Sequence, residues 1–467
     1  MVFADLFFLY VFLPVCLLFY FISKNLTYRN IILIVFSLIF YAWGEPEYII
    51  LLIISAVVNY FCGILTDKNR ETPKAKIYLA IALIINFGML GVFKYTGFFI
   101  ENINNWFNTS IASPKIALPI GISFYTFQAT SYIVDCYWGK VKPQRNFAKF
   151  LMYISLFPQL VAGPIVRYNN VAKAIDNRQT TKDDISYGAT RIIFGLAKKV
   201  IISNNLSSIV AVFLGSAIED TSVLGAWYGA IIFALQVYFD FSGYSDIAIG
   251  LGRIFGFKFN ENFKYPFASK TISEFWQRWH ISLGTFFRDY LLYIPIFGRR
   301  LEYVSLFLVW FCTGFWHGAN WNFIIWGLYF GVFICIENLI GKKRLRKIPK
   351  VILHIYSKIV LIIGFGIFYF EDLGQLGHFF KSLVGANSNV FCDRVLTASL
   401  TNNIVLIVFA ILFSMPVLSK FKEYMSKTTT RRNILSVIIT VANIVLLSLS
   451  SIMLVNATNN PFLYFRW

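Results

Sequence analysis

Two of the four histidines in this 467-residue chain stand where an imidazole could do chemistry. His317 lies in TGFWHGANWNFIIWG (313–327), at the junction of two apolar runs, where Gly314, Gly318 and Ala319 allow other backbone to come close. An ionisable residue between two apolar helices is expensive unless it faces a cavity. Neutral imidazole is the usual general base near physiological pH, and an apolar surround would keep it neutral. A packed, hydrogen-bonded histidine at a helix end is an equally good reading of this residue taken alone. His280, in FWQRWHISL (275–283), is flanked by Trp276, Arg278 and Trp279 and by itself reads as structural, with Arg278 an interfacial anchor. His354, beside KKRLRK, and His378, in a loop, read as structural too.

Two acids add to this set. Asp240 and Asp246 lie in YFDFSGYSDIAIGLG (238–252), an otherwise apolar stretch with Ser242 and Ser245 beside them. Carboxylates within a membrane segment mark sites or pathways by default. The rival is helix packing, since Gly243, Gly250 and Gly252 permit close contact and serines can bond across helices. Other chemistries lack their residues: there is no GxSxG elbow, no phosphate-binding lysine loop, no HExxH and no acidic metal cluster at useful spacing. The six cysteines form no CxxC pair, so neither a zinc site nor a disulfide framework is expected, and no metal is assigned.

The elements that must position these residues follow from composition. Only 14% of the chain is charged, 57% is hydrophobic and 19% aromatic, which excludes an ordinary soluble globule and a disordered chain. The long apolar runs predict an all-α polytopic membrane protein; a β-barrel would show short alternating segments. The formal charge of +19 does not indicate nucleic acid, because the basic residues sit in short clusters between apolar runs, where they set orientation in the lipid bilayer. About twelve spans are expected, near 6–22, 31–43, 49–65, 77–93, 116–138, 189–214, 224–255, 303–316, 321–340, 352–370, 404–418 and 434–455. The stretch 150–166 holds Pro158 and Pro164 and reads as re-entrant, its broken backbone buried in protein.

With basic loops cytoplasmic, the charges alternate without conflict and place both termini outside, starting from an uncleaved first helix. The chain is read as one integral membrane domain, 1–467. Its 256–302 region lies on the cytoplasmic side as short interfacial helices, 371–403 forms an extracellular loop, and 456–467 is an extracellular aromatic tail. Arg278 and Arg288 of the cytoplasmic region could attract an anionic donor, with snorkelling as the equally good alternative.

The set PIGISFYTFQATSYIVD (119–135), FPQLVAGPIVR (157–167), YFDFSGYSDIAIGLG (238–252), ENFKYPF (261–267), FWQRWHISL (275–283), FRDYL (287–291) and WHGANW (316–321) resembles the membrane-bound O-acyltransferases. It is most similar to the bacterial branch of the alginate O-acetyltransferase membrane subunit, with peptidoglycan and other surface-polysaccharide acetylation proteins, and more distantly to the teichoic acid D-alanyl transferase. The resemblance implies a ring of tilted helices around a funnel or tunnel. It implies that His317 is the catalytic histidine and His280 a second functional one. It implies passage of an acyl group, acetyl, from cytoplasmic acetyl-CoA to a surface polysaccharide outside in a bacterial cytoplasmic membrane, with no bound cofactor and with an SGNH-type (AlgJ/AlgX-like) transferase as extracellular partner. Trp316, Asn320, Trp276, Arg278, Arg288, Asp289, Asp240 and Asp246 become candidates for orienting the base or lining the passage.

The tail NNPFLYFRW (459–467) resembles the aromatic, tyrosine-containing end of the small membrane peptide of the D-alanylation system, which makes Tyr464 a candidate acyl carrier. An interfacial aromatic anchor is the plainer reading of the same residues. Two other function classes stay open beside the acyltransferase: a polysaccharide or lipid-linked-sugar transporter, which would carry internal repeats that this sequence lacks, and a non-catalytic scaffold for an extracellular transferase.

Overall fold

The computed structural model describes residues 1–114, 116–161, 163–215, 218–294, 301–455 and 463. Every regular element among them is helical. This is what a bilayer demands, since a helix satisfies its own backbone N–H and C=O groups. The chain forms two compact units, one of Met1–Ile192 with Ser245–Asn260 and one of Ile193–Tyr244 with Glu261–Trp467.

In the first unit the Ile122–Tyr137 helix is the centre, with 14 of its 16 residues buried. It packs against Ile49–Lys68 and Pro73–Leu90. Gly63 makes the contact close, because a Cβ there would meet the Tyr132 ring at 2.7 Å. Between the two outer helices Asn59 and Asn86 exchange amide hydrogen bonds of 2.8 and 3.0 Å, with Ser55 beside them. Such polar pairs join helices where lipid removes the hydrophobic drive. Two ion pairs hold the Ser245–Asn260 segment: Arg191 donates to Asp246 at 2.6 Å, and Arg253 lies 3.0 Å from Asp184.

In the second unit the turns Lys198–Ser203 and Asn204–Leu214 pack beside Val223–Ile254, the 32-residue helix that carries Asp240. Glycine sets one close approach, since a Cβ on Gly243 would lie 2.7 Å from the Gly195 carbonyl oxygen. The Glu302–His317 and Trp321–Ile340 helices form a hairpin. A Cβ on Gly314 would collide with the Phe323 carbonyl, and one on Gly327 with the Trp310 carbonyl, so the two backbones touch. Lys350–Tyr369, Leu373–Val384, Arg394–Ser414, Val417–Met425 and Thr429–Val455 complete this unit.

Eight helices among the described residues are long and apolar enough to cross a membrane. They answer eight of the twelve expected spans; the remaining four are the shorter helices Phe8–Ile22, Leu26–Ala42, Ile122–Tyr137 and Glu302–His317. The span expected at 404–418 is instead Arg394–Ser414, ten residues earlier at its start. Asp393 caps it, accepting from the Leu396 N–H at 2.7 Å, and Pro416 follows its end. The 150–166 stretch is broken as its prolines predict, into Phe147–Ser155 and the single turn Phe157–Leu160, and it is buried. Short helices also occupy 256–294, but Ile272, Phe275, Trp279, Leu283 and Phe286 turn them into the protein core.

Candidate active site

His317 ends its helix, and the next residue, Gly318, is extended at φ −166°, where the chain turns into the following helix. Asn320 stops the turn by capping that helix, its carboxamide oxygen accepting from the Trp321 N–H at 2.7 Å. The imidazole is 7% exposed and packed edge-on against Trp316, Trp326 and Phe368, at ring distances of 5.1, 4.9 and 5.3 Å. It lines a cavity of about 30 Å³ together with Val237, Asp240, Phe241, Trp279, Trp326, Phe365, Phe368 and Leu463. That is space for one or two waters, in walls that are mostly aromatic.

Asp240 is the acid of this cavity. Its Oδ1 accepts from Lys199 Nζ at 2.6 Å, and both side chains are almost completely buried. Its Oδ2 accepts from the Leu463 backbone N–H at 2.8 Å. Ser203, one turn from Lys199, bonds the Gln236 carbonyl at 3.1 Å and ties the lysine's turn to the aspartate's helix. That turn is a π-helix, Lys198–Ser203, a rare local form often found at functional positions.

His280 reaches the same neighbourhood from a different element. It stands at φ +44°, ψ +52°, in the left-handed region, immediately before the Ile281–Phe287 helix. Asn262 holds it there: the Asn262 carbonyl takes the Ile281 N–H at 3.0 Å, and its side-chain oxygen takes the Ser282 N–H and hydroxyl at 3.1 and 2.9 Å. The same oxygen lies 3.3 Å from His280 Nδ1. An oxygen already accepting from a backbone N–H can only accept again, so Nδ1 carries the proton and Nε2 the lone pair. Nε2 is buried without a hydrogen-bond partner. The ring packs on Phe241, a cavity residue, at 4.7 Å and on Trp316 at 5.9 Å, so the Trp316 indole touches both imidazoles.

Burial pushes the His280 imidazole down to about 3. Between that value and the ordinary 6.5 the unfolded chain binds a proton that the folded chain refuses, so stability rises with pH across this window and falls as pH drops through it. Unfolding midpoints of the detergent-solubilised protein are expected to drop from pH 7 to pH 5. His280→Asn, which keeps a hydrogen-bonding group, is expected to drop less over the same interval.

The other expected site residues are placed as follows. Trp276 packs among Trp310, Trp326 and Phe330 at 4.9, 5.4 and 5.1 Å, and does not line the cavity. Its helix, Ile272–Trp276, is held by the buried Glu337 carboxylate, which takes the Ile272 and Ser273 N–H groups at 2.6 and 2.9 Å. Arg278 pairs with Glu274 at 2.7 Å and Arg288 with its neighbour Asp289 at 2.7 Å; all four are partly exposed and none lines the cavity. Asp246 belongs to the other unit, paired with Arg191, so the two acids of one helix do different work. Tyr464 lies outside the described residues, although Leu463 immediately before it lines the cavity.

Sequence reasoning missed Lys199, Asn262 and Leu463. Lys199 had a readable signal, a lysine inside the apolar run GLAKKVIIS that needs a buried acid as partner. Asn262 and Leu463 had none, since each acts through a fold-dependent bond to distant or main-chain atoms.

The profile of the membrane-bound O-acyltransferase family matches residues 143–368, which carry both histidines and Asp240. A probable alginate O-acetylase AlgI of Pseudomonas syringae pv. tomato is 40% identical over 82% of this chain and 75% of its own length. A peptidoglycan O-acetyltransferase of Helicobacter pylori is 31% identical over 98% of this chain and 96% of its own. A teichoic acid D-alanyltransferase of Bacillus subtilis is 32% identical over 49% of this chain and 62% of its own. With the apolar helices and the buried histidine cavity already described, these likenesses place the chain in a family of multi-pass membrane enzymes that transfer acyl groups to oxygen: it belongs to the membrane-bound O-acyltransferases.

Proposed function

We propose that this acyltransferase moves an acetyl group from cytoplasmic acetyl-CoA to the far side of a bacterial cytoplasmic membrane, for O-acetylation of a surface polysaccharide. The observation that carries the reading is the His317 imidazole, buried at the hairpin end in an aromatic cavity. The names of the relatives favour a polysaccharide acceptor, as they include an alginate O-acetylase and a peptidoglycan O-acetyltransferase. In this reading His317 takes the proton of an acceptor hydroxyl as its oxygen attacks the thioester carbonyl. The tetrahedral intermediate collapses, the C–S bond breaks, and the coenzyme thiolate leaves with the proton from the imidazolium. His280, with its free Nε2 lone pair across the Trp316 ring, serves as a second polar group near the cavity.

The acceptor hydroxyl at this site is that of Tyr464, whose aryl ester then yields its acetyl group to an extracellular SGNH-type transferase and so to the glycan. Support comes from Leu463, which stands in the cavity one residue before the tyrosine. Removing the gene should remove base-labile acetate from the surface polysaccharide and restoring it should return the acetate; persistence of the ester in the deletion would overturn the reading. Tyr464→Phe at normal membrane level is expected to abolish polysaccharide acetylation, and full acetylation in that variant would remove the carrier step while leaving the transferase.

A further inference from the structure

The first unit holds a buried cation that lacks a counter-charge. Arg178, just past the Tyr168–Asp176 helix, is only 7% exposed. Its Nε donates to the Phe255 carbonyl at 2.9 Å and to the Tyr20 hydroxyl at 3.1 Å, and its Nη1 to the Ala174 carbonyl at 3.2 Å. Nη2 is buried without a hydrogen-bond partner. Gly256, at φ +83°, makes room for the side chain, since a Cβ there would lie 3.2 Å from the Arg178 stem. Among the described residues no carboxylate pairs with the guanidinium: Asp176 is held by Lys149 at 2.7 Å, and Asp184 lies 3.0 Å from Arg253.

A second cation stands beside it. Arg29 lies 4.9 Å from the centre of the Tyr20 ring and Arg178 lies 5.9 Å from it, so one tyrosine carries both. Arg29 donates to the Ser23 carbonyl at 2.8 Å and has no acid partner among the described residues either. Burial pushes the Arg178 guanidinium below its ordinary value, and the charge of Arg29 adds to that. Buried charges are normally paired, and backbone carbonyls offer only partial charge. Two planar guanidinium forks, one with an unused N–H group, suit the oxygens of a phosphate. The place suits a lipid. Tyr20 lies near the end of the Leu13–Ile22 helix, whose Leu18 and Ile22 are exposed and apolar and so face acyl chains. A phospholipid with its tails along these residues carries its phosphate at the helix end, where basic pockets hold headgroups.

We propose that Arg178 and Arg29 bind the phosphate of a membrane phospholipid whose tails lie along the exposed side of the first helix. The phosphate takes the free N–H bonds of Arg178 Nη2 and compensates both cations. The site lies within the first unit and stands whether or not His317 is the reaction centre.

Full-length protein, purified in detergent and stripped of lipid, is titrated with phosphatidylglycerol and followed by native mass spectrometry and unfolding midpoint. The wild type is expected to retain one phosphatidylglycerol, which raises the midpoint. Diacylglycerol, which has the tails without the phosphate, should do neither. Inorganic phosphate separates the two sources of the anion: stabilisation by phosphate alone, equal to that by the lipid, overturns the lipid as ligand. Arg178→Lys keeps the charge but loses the fork, and Arg29→Gln removes the partly exposed second cation. Both are expected to weaken lipid binding about tenfold. Arg145→Gln removes an exposed cation of the same unit and should bind as the wild type does. Equal loss in all three variants would reduce the effect to bulk charge and overturn the site, as would unchanged affinity in Arg178→Lys and Arg29→Gln. Should Arg178→Lys fail to fold, Arg29→Gln against Arg145→Gln decides alone.

Discussion

Replacing His317 with alanine is expected to lower acetyl transfer by about 10²–10⁴-fold, the usual contribution of a positioned general base. The imidazole is packed against Trp316, Trp326 and Phe368 in a cavity with room for little but water, and the acid of that cavity, Asp240, is engaged by Lys199. Alanine also leaves a hole in this aromatic cage, and His317→Gln, of similar length, controls for that loss of packing. The measurement is base-labile acetate released from the surface polysaccharide of cells at matched membrane levels. Loss of ester in both variants is the expected result. Loss in alanine with retention in glutamine would make His317 a packing residue, and retention in both would put the chemistry in another protein.

Lys199→Met is expected to destabilise the protein by about 3–5 kcal/mol, because it strands the Asp240 carboxylate among apolar walls without its cation. The lysine and aspartate side chains are only 4% and 2% exposed, so water does not replace the lost partner. The diagnostic comparison is the double variant K199M/D240L. Replacing both members of a buried pair by apolar groups of like volume is often neutral, so the double variant should recover most of the lost stability. Unfolding midpoints and monodisperse yield in detergent report both effects. A single variant as stable as the wild type would mean that Asp240 is not relying on Lys199 for its charge.

Much of the fold was legible because lipid imposes a simple code. Apolar length marked eight of the spanning helices, the prolines of 150–166 marked a break, and the charges around apolar runs marked a membrane protein over a nucleic-acid binder. The other four expected spans answer to shorter helices, Phe8–Ile22, Leu26–Ala42, Ile122–Tyr137 and Glu302–His317, because apolar composition marks a helix without fixing its length. Ile122–Tyr137 is buried along nearly its whole length, which its apolar composition did not reveal. The start of Arg394–Ser414 was misplaced because its first turns are polar, although Asp393 carries a readable cap.

At the site, His317 and Asp240 were legible as ionisable groups in apolar surroundings, and the fold brings them into one cavity. The separate fate of Asp246 was not, since six residues of helix carry it to the other compact unit and to Arg191. Trp276, Arg278, Arg288 and Asp289 were grouped with the site by nearness in sequence to His280. The turn at His280 sends the imidazole inward and leaves those side chains with Glu274, with each other, or in an aromatic cluster.

The glycine-lined hairpin has a consequence for any small molecule aimed at this enzyme. Backbone touches backbone at Gly314 and Gly327, so the wall that carries the imidazole cannot be pried back to admit a ligand. A wall contributed from outside the helical hairpin is Leu463, which packs on the apolar core and bonds Asp240 through its N–H. An inhibitor of this pocket therefore competes with Leu463 for the space. Its affinity is reduced by the local concentration of a tethered rival that dilution cannot remove. Compounds that present an N–H to Asp240 would replace that rival's bond instead of sacrificing it.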